Sequence, residues 1–200
     1  MKNLTTKLLI AFTIISINLF QLQAQSLGDY RSVNNGDWIF GTTWETYDGS
    51  GWIPASVGPL PSVDNVITIR SPHTVSLGGF ITLDQTIIEN GATLNFNSGT
   101  LTIANGPGID LTIEGTLSWV GGYAALMDVT NGAQVSGGAS FSFSGQTLIN
   151  NGTISLGNLD MINGSNPQNI NGTGTISNLL MFNLSTGVTL GGDQTITGLL

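Results

Sequence analysis

The sequence has no cysteine, a single histidine and only four Lys and Arg residues. Without cysteine there is no disulfide framework, no thiol nucleophile, no thiolate metal site and no acylated amino terminus. Four cations cannot neutralise enough phosphates to build a nucleic-acid surface. Charged residues of both signs make up only 8% of the chain, against about 25% in ordinary globular domains. Long apolar runs are also scarce. The one that stands out, Leu8 to Phe20, has 13 residues and falls short of the ~20 that a membrane-spanning helix needs. Glycine, by contrast, supplies 28 of the 200 residues, about twice its usual share of ~7%.

The apolar run belongs to an export signal. Lys2 and Lys7 precede it, and Leu22-Gln23-Ala24 follows with a small residue at the position before a cut. That three-part pattern is a secretory signal peptide over residues 1–24. With it removed, both lysines leave, no transmembrane span remains, and 12 acids face Arg31 and Arg70 alone, a formal charge of −10. No Lys or Arg follows Arg70.

Two regions follow. Residues 27–61 hold Trp38, Trp44 and Trp52, Tyr30 and Tyr47, dense turn sequences (Asn34-Asn35-Gly36-Asp37, Asp48-Gly49-Ser50-Gly51) and Pro54, Pro59 and Pro61. Periodic runs there are too short for long elements, so aromatic packing must organise the unit. Residues 62–200 read differently. Val66-Ile67-Thr68-Ile69, His73-Thr74-Val75-Ser76-Leu77, Thr86-Ile87-Ile88, Thr93-Leu94-Asn95-Phe96, Thr100-Leu101-Thr102-Ile103 and Asp110-Leu111-Thr112-Ile113 alternate apolar with hydroxyl or amide side chains. This is the period-2 signature of half-buried strands. Helix is disfavoured by the Gly, Thr, Ser and Asn content, although Tyr123 to Met127 could carry a short helical turn.

The strands also resemble one another. Asn90-Gly91-Ala92-Thr93-Leu94, Glu114-Gly115-Thr116-Leu117, Asn151-Gly152-Thr153-Ile154 and Thr173-Gly174-Thr175-Ile176 each place a turn glycine before a hydroxyl or small residue and an aliphatic one. Short self-similar strands predict an all-β fold, a right-handed parallel β-helix (solenoid) behind an amino-terminal aromatic cap. At about 20 residues per coil and about 4.8 Å per step, six or seven coils are expected. An antiparallel β-sandwich is the alternative, because Asn-Gly also makes hairpin turns. The chain stops at Thr195-Ile196-Thr197-Gly198-Leu199-Leu200, inside what reads as another repeat. Further repeats beyond residue 200, in a longer gene product, are therefore expected.

Asn35-Gly36-Asp37-Trp38, Trp44-Glu45, Gly51-Trp52, Pro61 and Asp64-Asn65-Val66-Ile67-Thr68-Ile69 with His73-Thr74-Val75 form an ordered pattern. It resembles the opening of secreted surface proteins of the Bacteroidota, and is similar to the eight-glycine domain of some polysaccharide-associated extracellular proteins. Those patterns carry a glycine before the histidine, where this chain has Pro72. The resemblance implies export by type IX secretion, a location that is secreted, extracellular or on the outer-membrane surface, and partners among extracellular polysaccharides or cell-surface glycans.

Catalytic signals are thin. His73 has no local acidic companions with which to hold a metal. Asp84, Asp110, Asp128, Asp160 and Asp193 are scattered. Stacked coils could bring two of them to the 5–9.5 Å or so that glycoside hydrolysis requires, but Asp residues beside turns more often bond their own backbone. A lyase would lack the cations that stabilise its intermediate. No cofactor is implied. Calcium held by scattered Asp and carbonyl groups is the one metal left open, without an Asp-x-Asp-x-Asp loop to mark it. Trp38 and Trp44 are expected in the cap's core, and Trp52 and Tyr47 are the candidate glycan contacts.

The expectation is a non-enzymatic, adhesin-like or matrix β-helix. The alternative is the non-catalytic front of a polysaccharide-degrading enzyme whose active site lies beyond residue 200. The signal assignment has a direct test. Intact mass of the exported chain should correspond to a polypeptide beginning at Gln25; retention of Met1 in the exported form would refute it.

Overall fold

In a computed structural model of the chain, the described residues are 25–60, 65–119, 126–138, 140–143, 145–162, 166–181 and 187–198. The export signal expected over residues 1–24 lies outside them, as do residues 123–125 of the expected helical turn. Leu126 and Met127 are in a strand, Leu126–Val129, so that part of the turn is not helical.

From Ile67 onward every strand pairing among the described residues is parallel, which removes the antiparallel sandwich as a description of this region. The chain winds through three faces in turn. The first contains β5 (Ile67–Ile69), β7 (Thr86–Ile88), β9 (Leu111–Ile113) and Gln134–Ser136, then the leading parts of Thr153–Met161 and Thr175–Met181, and finally Thr195–Ile196. Two long strands, β6 (Thr74–Leu83) and β8 (Thr93–Ile103), cross from the second face to the third without leaving the ladder. The fold is a parallel β-solenoid. One turn takes 19 residues from Ile67 to Thr86 and 25 from Thr86 to Leu111. The spacing expected from sequence therefore holds on average, with corners that absorb insertions.

The period-2 pattern explains the interior. Ile81, Leu101, Met127, Leu148 and Ile170 occupy one register column and point inward. Ile69, Ile88 and Ile113 form another, and all three are fully buried. Outward residues form columns of their own: Ser76, Asn95, Ser118, Ser142 and Asp160 on the second face, and Thr112, Ser136, Ser155 and Ser177 on the first. Neighbours in a column sit about 4.8 Å apart, so hydroxyls and amides can be hydrated there without mutual repulsion.

Corners turn on glycine. In β8 the register slips by one residue where the strand bends, and Gly79 pairs with Gly99, both at positive φ (90° and 96°). A side chain on Gly99 would overlap the carbonyl oxygen of Gly79, so the two coils approach too closely for any Cβ. Buried amides fasten other corners. Gln168 Nε2 donates to the carbonyls of Phe143 (3.0 Å) and Gly145 (2.9 Å). Asn150 Nδ2 donates to Thr175 O in the next coil at 3.2 Å and to Gln194 Oε1 at 3.1 Å. Corner amides thus bridge coils largely through backbone groups.

The aromatic cluster covers the first coil. β1 (Tyr30–Ser32) pairs parallel with β5 and antiparallel with β3 (Trp44–Tyr47), which in turn pairs antiparallel with β4 (Trp52–Pro54). β2 (Gly36–Asp37) adds to the second face beside Val75 and Ser76. Trp38 and Trp44 are buried and meet edge to face, their ring centroids 5.1 Å apart. Both indole N–H groups find acceptors: Trp38 donates to Pro59 O (3.0 Å) and Trp44 to Trp38 O (2.9 Å). These two tryptophans are the core of the cap, as their sequence setting suggested.

The ladder makes a quantitative prediction. Leu101→Ala empties a position enclosed by Ile81 and Met127 and should cost about 2–5 kcal/mol. Thr102→Ala, one residue on and facing out, should change stability by no more than about 0.5 kcal/mol. Urea denaturation of the two variants measures the contrast, and equal losses would contradict the inward and outward assignment.

Candidate functional site at the seam between cap and solenoid

The outer surface of the cap ribbon is set by register. Arg31 lies opposite Glu45, and Trp52 lies opposite Tyr47. Glu45 and Tyr47 are two residues apart on β3, so all four side chains share one face. Arg31 Nε and Nη2 both donate to Glu45 Oε2, at 2.9 and 2.7 Å. The guanidinium also lies over the Trp52 ring, 4.3 Å from its centroid, and the Trp52 edge meets Tyr47 at 5.5 Å. The ion pair is partly exposed (29% and 24%), worth ~0.2–1 kcal/mol. Its main effect is positional, since it ties Arg31 to β3 while the guanidinium lies over the Trp52 ring.

The parallel pairing of β1 with β5 places Thr68 beside Arg31. Two residues further along, Arg70 falls on the same outward side. The result is an open cavity of about 200 Å³ on the seam, lined among others by Arg31, Trp52, Thr68, Arg70, Gln25 and Glu89. Arg31 and Arg70, the only Lys or Arg residues after residue 24, both line it. Asp29 borders it too, but its carboxylate is committed: Oδ1 accepts from Val66 N–H (2.9 Å) and Oδ2 from Ser26 N–H (2.7 Å). Glu89 Oε2 accepts from Ser71 N–H at 3.1 Å. Among the described residues, the Arg70 guanidinium has no ion-pair partner.

The two aromatic residues singled out from sequence therefore differ in position. Trp52 lines the cavity, half-buried, with one ring face occupied by Arg31. Tyr47 does not line it and buttresses Trp52 from the side. Neither arginine was singled out from sequence. Their convergence depends on a cap strand pairing with a coil strand 37 residues later, which no local pattern encodes.

His73 has a structural partner. Its Nδ1 and the hydroxyl of fully buried Ser32 share a 2.8 Å hydrogen bond, and Ser32 Oγ also accepts from Arg70 N–H at 2.8 Å. A serine enclosed in this way cannot meet a substrate. The pair joins cap to first coil. Two of the scattered aspartates are brought together, but in a buried corner rather than as an open carboxylate pair. Asp84 and Asp110 come to the same corner on either side of Gly106, whose N–H donates to Asp110 Oδ1 (2.7 Å) and whose Cα lies against the Asp84 carboxylate. Both acids are buried and neither lines the seam cavity. Asp110 Oδ2 additionally accepts from Gln134 N–H of the next coil at 2.6 Å, which makes it a corner fastener. Among the described residues no three His, Asp or Glu side chains gather into a metal site.

A second concavity of about 300 Å³ lies on the hydroxyl-rich second face between Thr116, Ser118, Ser140, Ser142 and Ile162. No family model matches the chain, and no curated protein or solved structure matches it.

The tip of the hairpin that carries Trp52 is closed by Asp48. Its Oδ1 accepts from Ser50 N–H, Ser50 Oγ–H and Gly51 N–H, each at 2.8 Å. The Ser50 donors and then Gly51 hold its carboxyl below the ordinary value of 3.8. A lowered folded value means the contribution to stability is complete above the unfolded carboxyl's range and is lost as pH falls through the lowered value. Amide chemical shifts of Ser50 and Gly51 should therefore titrate with a midpoint below 3.8. Asp48→Asn should abolish that titration; a wild-type midpoint at or above 3.8 would contradict the arrangement.

Proposed function

We propose that this protein is a non-enzymatic, exported β-solenoid of adhesin-like or matrix type, which presents its outer faces and its cap to extracellular or cell-surface glycans. The observation that carries the reading is the contrast between faces and seam. The faces repeat hydroxyl and amide columns over successive coils, a surface suited to extended hydrated contact. The seam alone combines a half-buried tryptophan, two guanidinium groups and a concave shape, the mix of an apolar wall with a few directed polar groups that small-molecule sites use. The buried, amide-bonded state of Asp110 and the enclosure of Ser32 support a role without bond cleavage. An export signal over residues 1–24 supports an extracellular location. Among the described residues no helix is long and apolar enough to cross a membrane.

Tryptophan emission should change saturably when the protein is titrated with members of a broad oligosaccharide panel. Trp52→Ala should weaken any such binding at least about fivefold, the loss expected for an aromatic anchor. Unchanged emission across the panel would count against glycan contact. Release of reducing sugar from any panel member, with calcium present, would overturn the non-enzymatic assignment.

A further inference from the structure

We propose that the seam cavity takes a single acidic sugar, a pyranose bearing a carboxylate, with Arg70 as the partner of the carboxylate and Trp52 as the wall against the ring; this rests on the glycan-contact reading above and narrows it to a ligand class.

The argument begins with charge placement. After the export signal the side chains include twelve acids, two arginines and a single histidine. Both arginines line one cavity. They reach it from different strands, β1 and the end of β5, through the parallel pairing of Tyr30 with Ile67 and Arg31 with Thr68. A chain that omits cations from its other surfaces has two of them on one small concavity.

The surrounding acids do not compete equally for these cations. Glu45 is engaged by Arg31 through two short donations to the same oxygen. Asp29 is buried, with both oxygens on backbone N–H groups. Glu89 lies beside Arg70 in the next coil but turns to Ser71 N–H. Arg70 remains the group whose planar fork is available to a carboxylate, and paired N–H donors of that geometry match two carboxylate oxygens. Arg31 then acts as a positioning residue. Held between Glu45 and the Trp52 ring, it adds positive charge to the cavity and fixes the wall.

The rest of the lining suits a sugar ring. Trp52 offers apolar surface, while the Thr68 hydroxyl, the Gln25 amide and the free oxygen of Glu89 offer the mixed donors and acceptors that ring hydroxyls need. At about 200 Å³ the cavity is smaller than the ~300–1,000 Å³ of sites for drug-sized ligands, which favours one ring over a chain. The net charge of the exported protein points the same way. A long polyanion would meet the negative field of the whole chain, whereas one uronate ring brings a single charge directly to Arg70.

The test compares ligands that share a ring and differ in the carboxylate. The full chain is titrated with D-glucuronate and D-galacturonate, and in parallel with D-glucose, D-galactose and acetate, followed by saturation-transfer NMR and tryptophan emission. The uronates should bind at least about tenfold more tightly than the matching neutral hexoses, as expected for a hydrogen-bonded charge pair. Arg70→Gln should erase that difference and bring the uronates to the neutral level, with an unchanged urea midpoint. Arg70→Lys should restore part of it. Equal binding of uronates and neutral hexoses would overturn the acidic assignment and leave glycan contact standing. Acetate binding as tightly as glucuronate would also overturn it, because a bare anion site would then suffice. Absence of saturable binding by every sugar tested, the oligosaccharide panel included, would overturn both.

Discussion

The structure depends on one constraint, which is that each strand must find its backbone partners in the coil before and the coil after. A parallel ladder with rungs about 4.8 Å apart satisfies N–H and C=O groups only if successive coils present strands of matching position and direction. This explains the composition more directly than any functional pressure. Inward columns must be aliphatic or aromatic because they stack into a continuous core. Corners need glycine or an amide because the chain must turn without blocking the next coil, as at Gly79 and Gly99 or at Gln168. The first coil has no predecessor, and a bare edge would leave a row of unpaired groups. Tyr30–Ser32 and Gly36–Asp37 supply the missing partners on the first two faces, and Trp38 and Trp44 bury the end of the apolar interior beneath them.

The same constraint explains the scarcity of charge. A charged side chain repeated along an outward column would sit about 4.8 Å from its copy, where like charges repel. Hydroxyl and amide side chains carry no such penalty. Glu89 and Glu114 show how two like charges are tolerated at neighbouring positions of one corner. Glu89 reaches to Ser71 N–H in the preceding coil and Glu114 to Gly138 N–H in the following one, so the carboxylates turn away from each other and each accepts a backbone donor. Among the described residues, Arg31 and Arg70 lie where repetition is broken, at the junction of the cap with the first coil.

How much of this was legible in the sequence follows from the range of the interactions involved. The body strands were readable because alternation is local: Thr100-Leu101-Thr102-Ile103 declares its own inward and outward sides. The core role of Trp38 and Trp44 was readable from their setting among turns. The continuity of β6 and β8 across two faces was less so, since Gly78-Gly79 reads as a break although the ladder passes through it. The seam was not readable. It requires the antiparallel register of β1 with β3, that of β3 with β4, and the parallel register of β1 with β5 all at once, and each joins residues far apart in the chain. Trp52 could be named from its turn setting, but its neighbours Arg31 and Arg70 could not. Tyr47, the other candidate contact, meets the edge of Trp52 and does not line the cavity, a placement that the register of β3 with β4 decides.

These points converge on the cap. In a repeating body each outward residue must be compatible with near-copies of itself above and below, which favours uniform and weakly interacting surfaces. The cap is free of that requirement, because its strands occur once. It is therefore the place where an Arg–Trp contact, an ion pair and a concave wall can be assembled without disturbing the stack. The hydrogen bond between Ser32 and His73, with Arg70 N–H on the same serine, fastens this non-repeating unit to the first coil beside Arg70. The geometry that terminates the solenoid also holds the seam cavity in shape, so the end-cover and the proposed recognition surface are a single piece of structure.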